Sequence, residues 1–301
     1  MEIYSSISAN KTKTWLIMIL FVVFSTTIIY LFGKALGYSP VFLIGFALIF
    51  AGITSLGSYF YSDKLVLAST GAKLIKKNDN PVLYRIVENL AIGNGTPPPR
   101  IYIMNEPSPN AFATGRDPKH AVICVTTGLL AKLNKVELEG VIAHELSHIK
   151  NYDTRLMAIV AILVGFIAIF ADFFMRTLWL RSFSGRSSRG SGNIQLIFLG
   201  IGIALAILSP IIAVLIQLAL SRKRELLADA SASLLTRYPE GLASALEKIS
   251  SDKNSIKSVN NATAQLFIVN PFKGKSGKAF LSSLFNTHPP VEERLKILRS
   301  M

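Results

Sequence analysis

The stretch Asn134-Lys-Val-Glu-Leu-Glu-Gly-Val-Ile-Ala-His-Glu-Leu-Ser-His-Ile-Lys150 decides how the rest of the chain is read. Asn134 with Glu137 three residues later has the pattern of a capping box, and Val136, Leu138, Val141, Ile142 and Leu146 then follow at helical spacing. These signals predict a helix from about Lys135 to Tyr152. Inside it His144 and His148 stand four apart, an interval that rotates a helical side chain by only about 40°. Both imidazoles therefore share a face and can hold one Zn²⁺. Glu145 projects beside them, where a carboxylate can take a proton from a water at the ion without being a ligand, as hydrolytic zinc chemistry requires. Chance is a weak rival: with four His and eleven Glu in 301 residues, the pattern arises on the order of a few times in a thousand such chains.

Two histidines make half of a tetrahedral catalytic site, which usually takes three protein ligands. The third ligand must come from elsewhere, and the candidates are His120, His288 and the acidic residues. Glu225, in Arg222-Lys-Arg-Glu-Leu-Leu-Ala-Asp229, stands out among them because Asp229 lies four residues on, where it could orient a ligating histidine. Taken alone, that pair is also what any solvated helix face shows. His120, in the turn after Asp117-Pro118, has no motif around it and is expected to be exposed.

Outward from this helix, the composition points to a membrane. Half of the residues are apolar, 17% are charged, and 32 Lys+Arg against 18 Asp+Glu leave a formal charge of +14. Mean hydropathy is +0.44, on the apolar side of ordinary soluble domains and far from disorder. The basic residues cluster at the borders of apolar runs, as anchors against lipid headgroups do, which disfavours nucleic acid as a partner. Residues 15–33 carry no charge, with Lys11 and Lys13 before them and Lys34 after, and residues 35–62 are again uncharged, with Pro40 near their start. The two stretches predict a helical membrane hairpin rather than a cleaved leader. Two further apolar stretches, 156–175 (interrupted by Asp172) and 190–221, flank a Ser/Gly/Arg segment that predicts a loop.

Between these hairpins, residues 63–155 have soluble composition. A helix is expected over 81–91 and strands over 100–104, 110–114 and 121–126, with a turn at Gly115-Arg-Asp-Pro118. The single cysteine, Cys124, falls in the last strand and is expected to be buried. The fold class expected is α+β: membrane helices plus a mainly helical, zincin-like domain with a small β-sheet. Its segments are 1–62 and 156–221 in or at the membrane, with 63–155 and 222–301 forming the two parts of one domain.

The string HELSH, the basic run leading into Glu-Leu-Leu-Ala-Asp, the C-terminal Thr287-His-Pro-Pro-Val-Glu-Glu-Arg294 and the strand Asn110-Ala-Phe-Ala-Thr-Gly115 occur in the order found in HtpX-type membrane zinc metalloproteases. The chain resembles that family, relatives of the CAAX prenyl endopeptidases within the gluzincins, over essentially its whole length. The resemblance implies that His144, His148 and Glu225 bind one Zn²⁺, that Glu145 is the general base and that Asp229 orients a ligating histidine. It implies further that His288 lies near the substrate carbonyl and that Asn110, Ala111, Phe112 and Ala113 form a strand that an extended peptide joins. Arg294 is expected to be a structural ion-pair partner.

The implied activity is endoproteolysis of misfolded or unfolded membrane proteins at the cytosolic face of the cell membrane. Processing of a lipidated C-terminus is disfavoured because relatives with that role are longer and have more spans. A non-catalytic zinc-stabilised scaffold is the rival from another class. Because His144 and His148 precede the third apolar stretch and Glu225 follows the fourth, the intervening chain must cross the membrane an even number of times. Four spans are expected, with Arg176, Arg181, Arg186 and Arg189 on the far side against the positive-inside tendency, and a re-entrant or interface-lying second hairpin is the alternative. Lys11, Lys13, Lys64, Lys73, Lys76, Lys77 and Arg222-Lys-Arg224 favour a cytosolic catalytic domain.

Overall fold

A computed structural model describes residues 2–35, 39–167, 222–256, 259, 263–271 and 289–301. The second hairpin beyond residue 167, with Asp172 and the four arginines, and also His288, lie outside the described residues.

The chain begins with two long helices, α1 (Glu2–Ala35) and α2 (Pro40–Thr70). Pro40 occupies the first turn of α2, where its missing N–H has no intrahelical partner to lose. Within them, Ile7–Tyr30 and Val41–Thr70 are long and apolar enough to cross a bilayer. Their outward faces carry exposed Ile19, Val41, Ile49 and Ile53, side chains that water would not stabilise.

A four-stranded sheet follows, made of β1 (Lys73–Leu74), β2 (Arg100–Met104), β3 (Ala111–Thr114) and β4 (Val122–Thr126), in the order β1-β2-β4-β3. β2 and β4 are parallel with Tyr102 opposite Cys124, while β3 runs antiparallel to β4 with Phe112 opposite Cys124. All five residues of β4 are buried, Cys124 among them. The reason is that both faces of the sheet are covered, which removes the alternation of a half-exposed strand. Val122 and Cys124 face a core shared with Ile17 and Phe21 of α1 and with the helix over 153–167, here α6. Ala121, Ile123 and Val125 face the other core.

That second core is built by α3 (Pro81–Asn94), the short α4 (Thr127–Lys132), α5 (Lys135–Lys150) and α8 (Pro239–Ser251). Helices α7 (Arg222–Thr236) and α9 (Val291–Leu298) complete the described α-helices. The α5 capping box is present as expected, and the Glu137 carboxylate also accepts from Ser244 and Lys248 of α8. Gly140 lets the two helices touch, since a Cβ there would lie 2.7 Å from Leu242 N. The helix stops two residues before the expected Tyr152, which takes φ 60° and redirects the chain into α6. The helix expected over 81–91 extends to Asn94, and its end is formed by Gly95 at φ 71°.

Candidate metal centre

His144, Glu145 and His148 lie in the last two turns of α5, which is buried on nearly every side. α7 crosses the same face and presents Glu225 and Asp229, both buried. One ligand atom each from His144, His148 and Glu225 falls within 4.8 Å of the others. His148 Nε2 is 3.1 Å from His144 Nε2, while Glu225 Oε2 and Oε1 lie 3.8 and 3.5 Å from His144 Nε2 and His148 Nε2.

The opposite nitrogens explain what those Nε2 atoms are for. His144 Nδ1 lies 2.9 Å from Asp229 Oδ1, and His148 Nδ1 lies 3.0 Å from Asp153 Oδ2. Asp153 accepts from His148 Nδ1, and the Asp229 carboxylate beside His144 Nδ1 favours the same tautomer, which leaves each Nε2 lone pair free to ligate. Two such lone pairs converging beside a carboxylate repel unless a proton on one Nε2 bonds to the other or a cation lies between them. Neighbouring donors of a tetrahedral zinc stand about 3.3 Å apart for bonds of about 2.0–2.1 Å, so the imidazole spacing fits that ion. The charges agree: four buried carboxylates (Glu145, Asp153, Glu225 and Asp229) face the arginines Arg224 and Arg294, and a dication balances the remainder.

The arginine pairings are specific. Arg294 donates through Nε and Nη2 to Asp229 at 2.8 and 2.7 Å and through Nη1 to the Ile268 carbonyl at 3.2 Å. Burial opposes the ionised form of Asp229, but Arg294 and His144 outweigh it and lower its pKa to about 2. Burial lowers His144 to about 4. For His148 burial acts in the same direction, yet Glu225 and Asp153 prevail and raise it to about 9. Burial raises Glu145 to about 7, with His148 opposing and Glu225 adding to the rise.

The structure thus brings His144, Glu145, His148, Glu225 and Asp229 together, and it gives Arg294 the expected ion-pair role. His120 is exposed and bound to Asp117 and Arg116, away from this cluster. Ala111, Phe112 and Ala113 lie on the edge strand β3, which Asn110 immediately precedes rather than joins, and the Glu145 carboxylate accepts from the Ala113 N–H. Their outer edge, however, is partly taken. Ile268 N–H donates to the Ala111 carbonyl, and the Asn110 amide donates to the Val269 carbonyl. A buried edge must pair its backbone groups, and here the chain's own segment does so.

Three participants had no prominent sequence signal. Asp153 is a lone carboxylate between the helix end and an apolar run. Arg224 reaches its Oδ1 at 3.5 Å, and Asn10 of α1 donates to the same oxygen at 2.7 Å and to the Asn151 carbonyl at 2.9 Å. Arg224 in turn donates to Asn10 Oδ1 at 3.1 Å.

The comparisons agree with this geometry. Residues 77–301 match the model of peptidase family M48. The chain is 46% identical to "Protease HtpX homolog" of Dictyoglomus thermophilum over 99% of its own length and 94% of the relative's. It is 44% identical to the protein of the same name from Caldanaerobacter subterraneus subsp. tengcongensis, over 99% and 98%. The crystal structure of S. mikatae Ste24p shares the fold at 21% identity and a TM-score of 0.52, covering 95% of this chain and 67% of that one. The chain belongs to peptidase family M48, as an HtpX homolog and a metallopeptidase.

Proposed function

We propose that this chain is a zinc-dependent endopeptidase, anchored in the cell membrane, that cuts misfolded or unfolded membrane proteins on the cytosolic side. The observation that carries the reading is the convergence of His144, His148 and Glu225 with Glu145 in the adjacent helical position. Bound there, zinc would supply Lewis acidity, lowering the pKa of water and polarising the scissile carbonyl. The Glu145 carboxylate accepts the proton of the attacking water and returns it to the leaving amine. Asp229 and Asp153 keep the two imidazoles in the ligating tautomer, and Arg294 keeps Asp229 ionised and in place. His288 donates to the developing oxyanion in this reading, supported by Arg294, six residues on, standing beside the centre.

An extended peptide is read chiefly through its backbone, by joining the β3 edge beside Glu145 in exchange for the chain's own residues 267–269, which pair with that edge in this structure. That mode accepts many sequences and suits unfolded substrates. The two soluble segments, 63–155 and 222–301, form one catalytic domain in this proposal, supported by the packing of α7 and α8 on α5. The lysines beside the first two spans favour the cytosolic side.

The test is cleavage of unfolded casein and of an unfolded membrane protein by the detergent-purified chain and by Glu145→Gln, with zinc measured in both. One zinc in each and cleavage by the wild type alone is the expected result. Retained cleavage by Glu145→Gln rejects the base assignment, and zinc without turnover in both favours the scaffold.

A further inference from the structure

Near the end of α2, the helix departs from regular geometry at Tyr61 (φ −118°, ψ 15°), next to the first charged residues after its uncharged run. The turn after β3 reaches across to this point. Arg116 donates to the Phe60 carbonyl at 3.3 Å and lays its guanidinium over the Phe60 ring, 5.5 Å from the centroid. Between helix and turn lies a concave pocket of about 360 Å³, walled by Phe60, Tyr61 and Lys64 on the helix side and by Arg100, Arg116 and Lys119 on the domain side.

The nearby carboxylates are already engaged. Asp63 pairs with Arg100 at 2.6 Å, and Asp117 lies 3.4 Å from Arg116 Nε and 2.7 Å from His120 Nδ1. Among the described residues Lys64 and Lys119 have no anionic partner, and Lys64 rests over the Tyr61 ring at 5.2 Å. The pocket therefore holds two cations in excess, which is the charge that a phosphate group complements.

Its depth is marked by aromatic side chains. Trp15 of α1 stacks on Tyr59 at 5.8 Å, and Phe60 and Tyr61 are each about half exposed. Rings of this kind collect where hydrocarbon gives way to headgroups. Exposed Leu56 lies one turn further into the apolar run, where acyl chains would cover it.

We infer that this pocket binds the headgroup phosphodiester of an anionic phospholipid. Lys64 and Lys119 supply the charge, and Phe60 and Tyr61 the surface for the glycerol and upper chains. A soluble phosphate would satisfy the cations alone, whereas the aromatic rim calls for the apolar remainder of a lipid. One wall belongs to a membrane helix and the other to the turn that continues β3, so an occupant fastens the domain against the bilayer.

The test uses the full chain carrying Trp179→Phe, which leaves Trp15 as the only tryptophan. The protein is reconstituted in phosphatidylcholine bilayers doped with brominated phosphatidylglycerol or brominated phosphatidylcholine, and quenching of Trp15 is compared. The wild-type background is expected to be quenched preferentially by phosphatidylglycerol. Lys64→Gln with Lys119→Gln is expected to lower that preference by about fivefold per lysine. The pair Lys253→Gln and Lys296→Gln, away from the pocket, leaves it unchanged. If the double variant fails to reconstitute, Lys119→Gln alone, at an exposed turn position, is expected to show a loss of about fivefold. Equal quenching by the two lipids in the wild type, or unaltered preference in the lysine variants, overturns the proposal. So does an equal loss in the control pair, or relief of quenching by soluble glycerol phosphate at matched ionic strength.

Discussion

His144 and His148 stand one turn apart on α5, yet each is oriented by a carboxylate from a different part of the molecule. His144 rests against Asp229 of α7, which Arg294 of α9 clamps with two hydrogen bonds. All of these groups lie within residues 77–301, which carry the family match. His148 rests against Asp153 at the start of α6, which is held by Asn10 of α1 and approached by Arg224. That side of the centre therefore depends on the first membrane helix. Similar positions in one motif have acquired opposite electrostatics, with His144 held neutral and His148 readily charged when no metal is bound. The difference teaches that a helix places ligands, whereas their tautomer and proton affinity come from whatever packs behind them.

The sharpest way to break the comparison is on the His144 side. Asp229→Ala leaves Arg294 buried without its partner, which costs about 3–5 kcal/mol, so we expect loss of stable protein in thermal unfolding. Asp229→Ala combined with Arg294→Met removes both charges and should recover most of the stability while metal affinity stays about 10–100-fold weaker. Metal titration of the stable double variant against a competing chelator checks this, and unchanged affinity would show that Asp229 has no orienting role.

A second prediction concerns pH in chelator-stripped protein. His148 keeps its proton in the folded chain up to about pH 9, whereas an unfolded histidine loses it near about 6.5. Its contribution is complete below about pH 6.5 and is lost as pH rises through about 9, and amounts to a few kcal/mol. Between about pH 4.5 and 6.5 the low pKa of His144 and the high pKa of Glu145 act in opposite directions and offset each other. Melting temperature of the stripped chain should therefore fall from pH 6.5 to 9, and Asp153→Asn should flatten that fall.

On the His148 side alone, Asp153→Ala should weaken metal binding by about 10–100-fold with the helices intact by circular dichroism. The smallest effect expected is that of Asn10→Ala, which removes one hydrogen bond to a carboxylate that Arg224 still approaches. Metal should dissociate several-fold faster from that variant although the substitution lies in a membrane helix. An unchanged dissociation rate would mean that the two halves of the centre are equally independent of the membrane hairpin.

The parts of this centre that were legible in sequence were those written by local periodicity. His144, Glu145 and His148 needed only the pitch of one helix, and the capping box marked where that helix starts. Glu225 stood out among several candidates through Asp229 four residues on, a pattern weak when taken alone, and the resemblance then implied it as the ligand. Asp153 and Asn10 stayed hidden because they meet His148 through folding back of separate elements, and a lone Asp or Asn beside an apolar run carries no periodic signal. The strand at 110–114 was legible by its composition, while the covering of its edge by residues 268–269 was not. Pairing of an edge is decided by a segment more than 150 residues away.

By itself the sequence determined the apolar hairpin, the short strands, the helix with its two imidazoles and the carboxylate between them, since these follow from charge-free length, β-branched runs and a 3.6-residue period. Only the tertiary structure decided which carboxylate stands behind which histidine, that Arg294 fastens Asp229, and that α1 reaches the metal centre through Asn10. Those outcomes depend on which polar groups are carried into the same water-free space. There every buried donor and charge must find a partner, and position along the chain does not say which partner that will be.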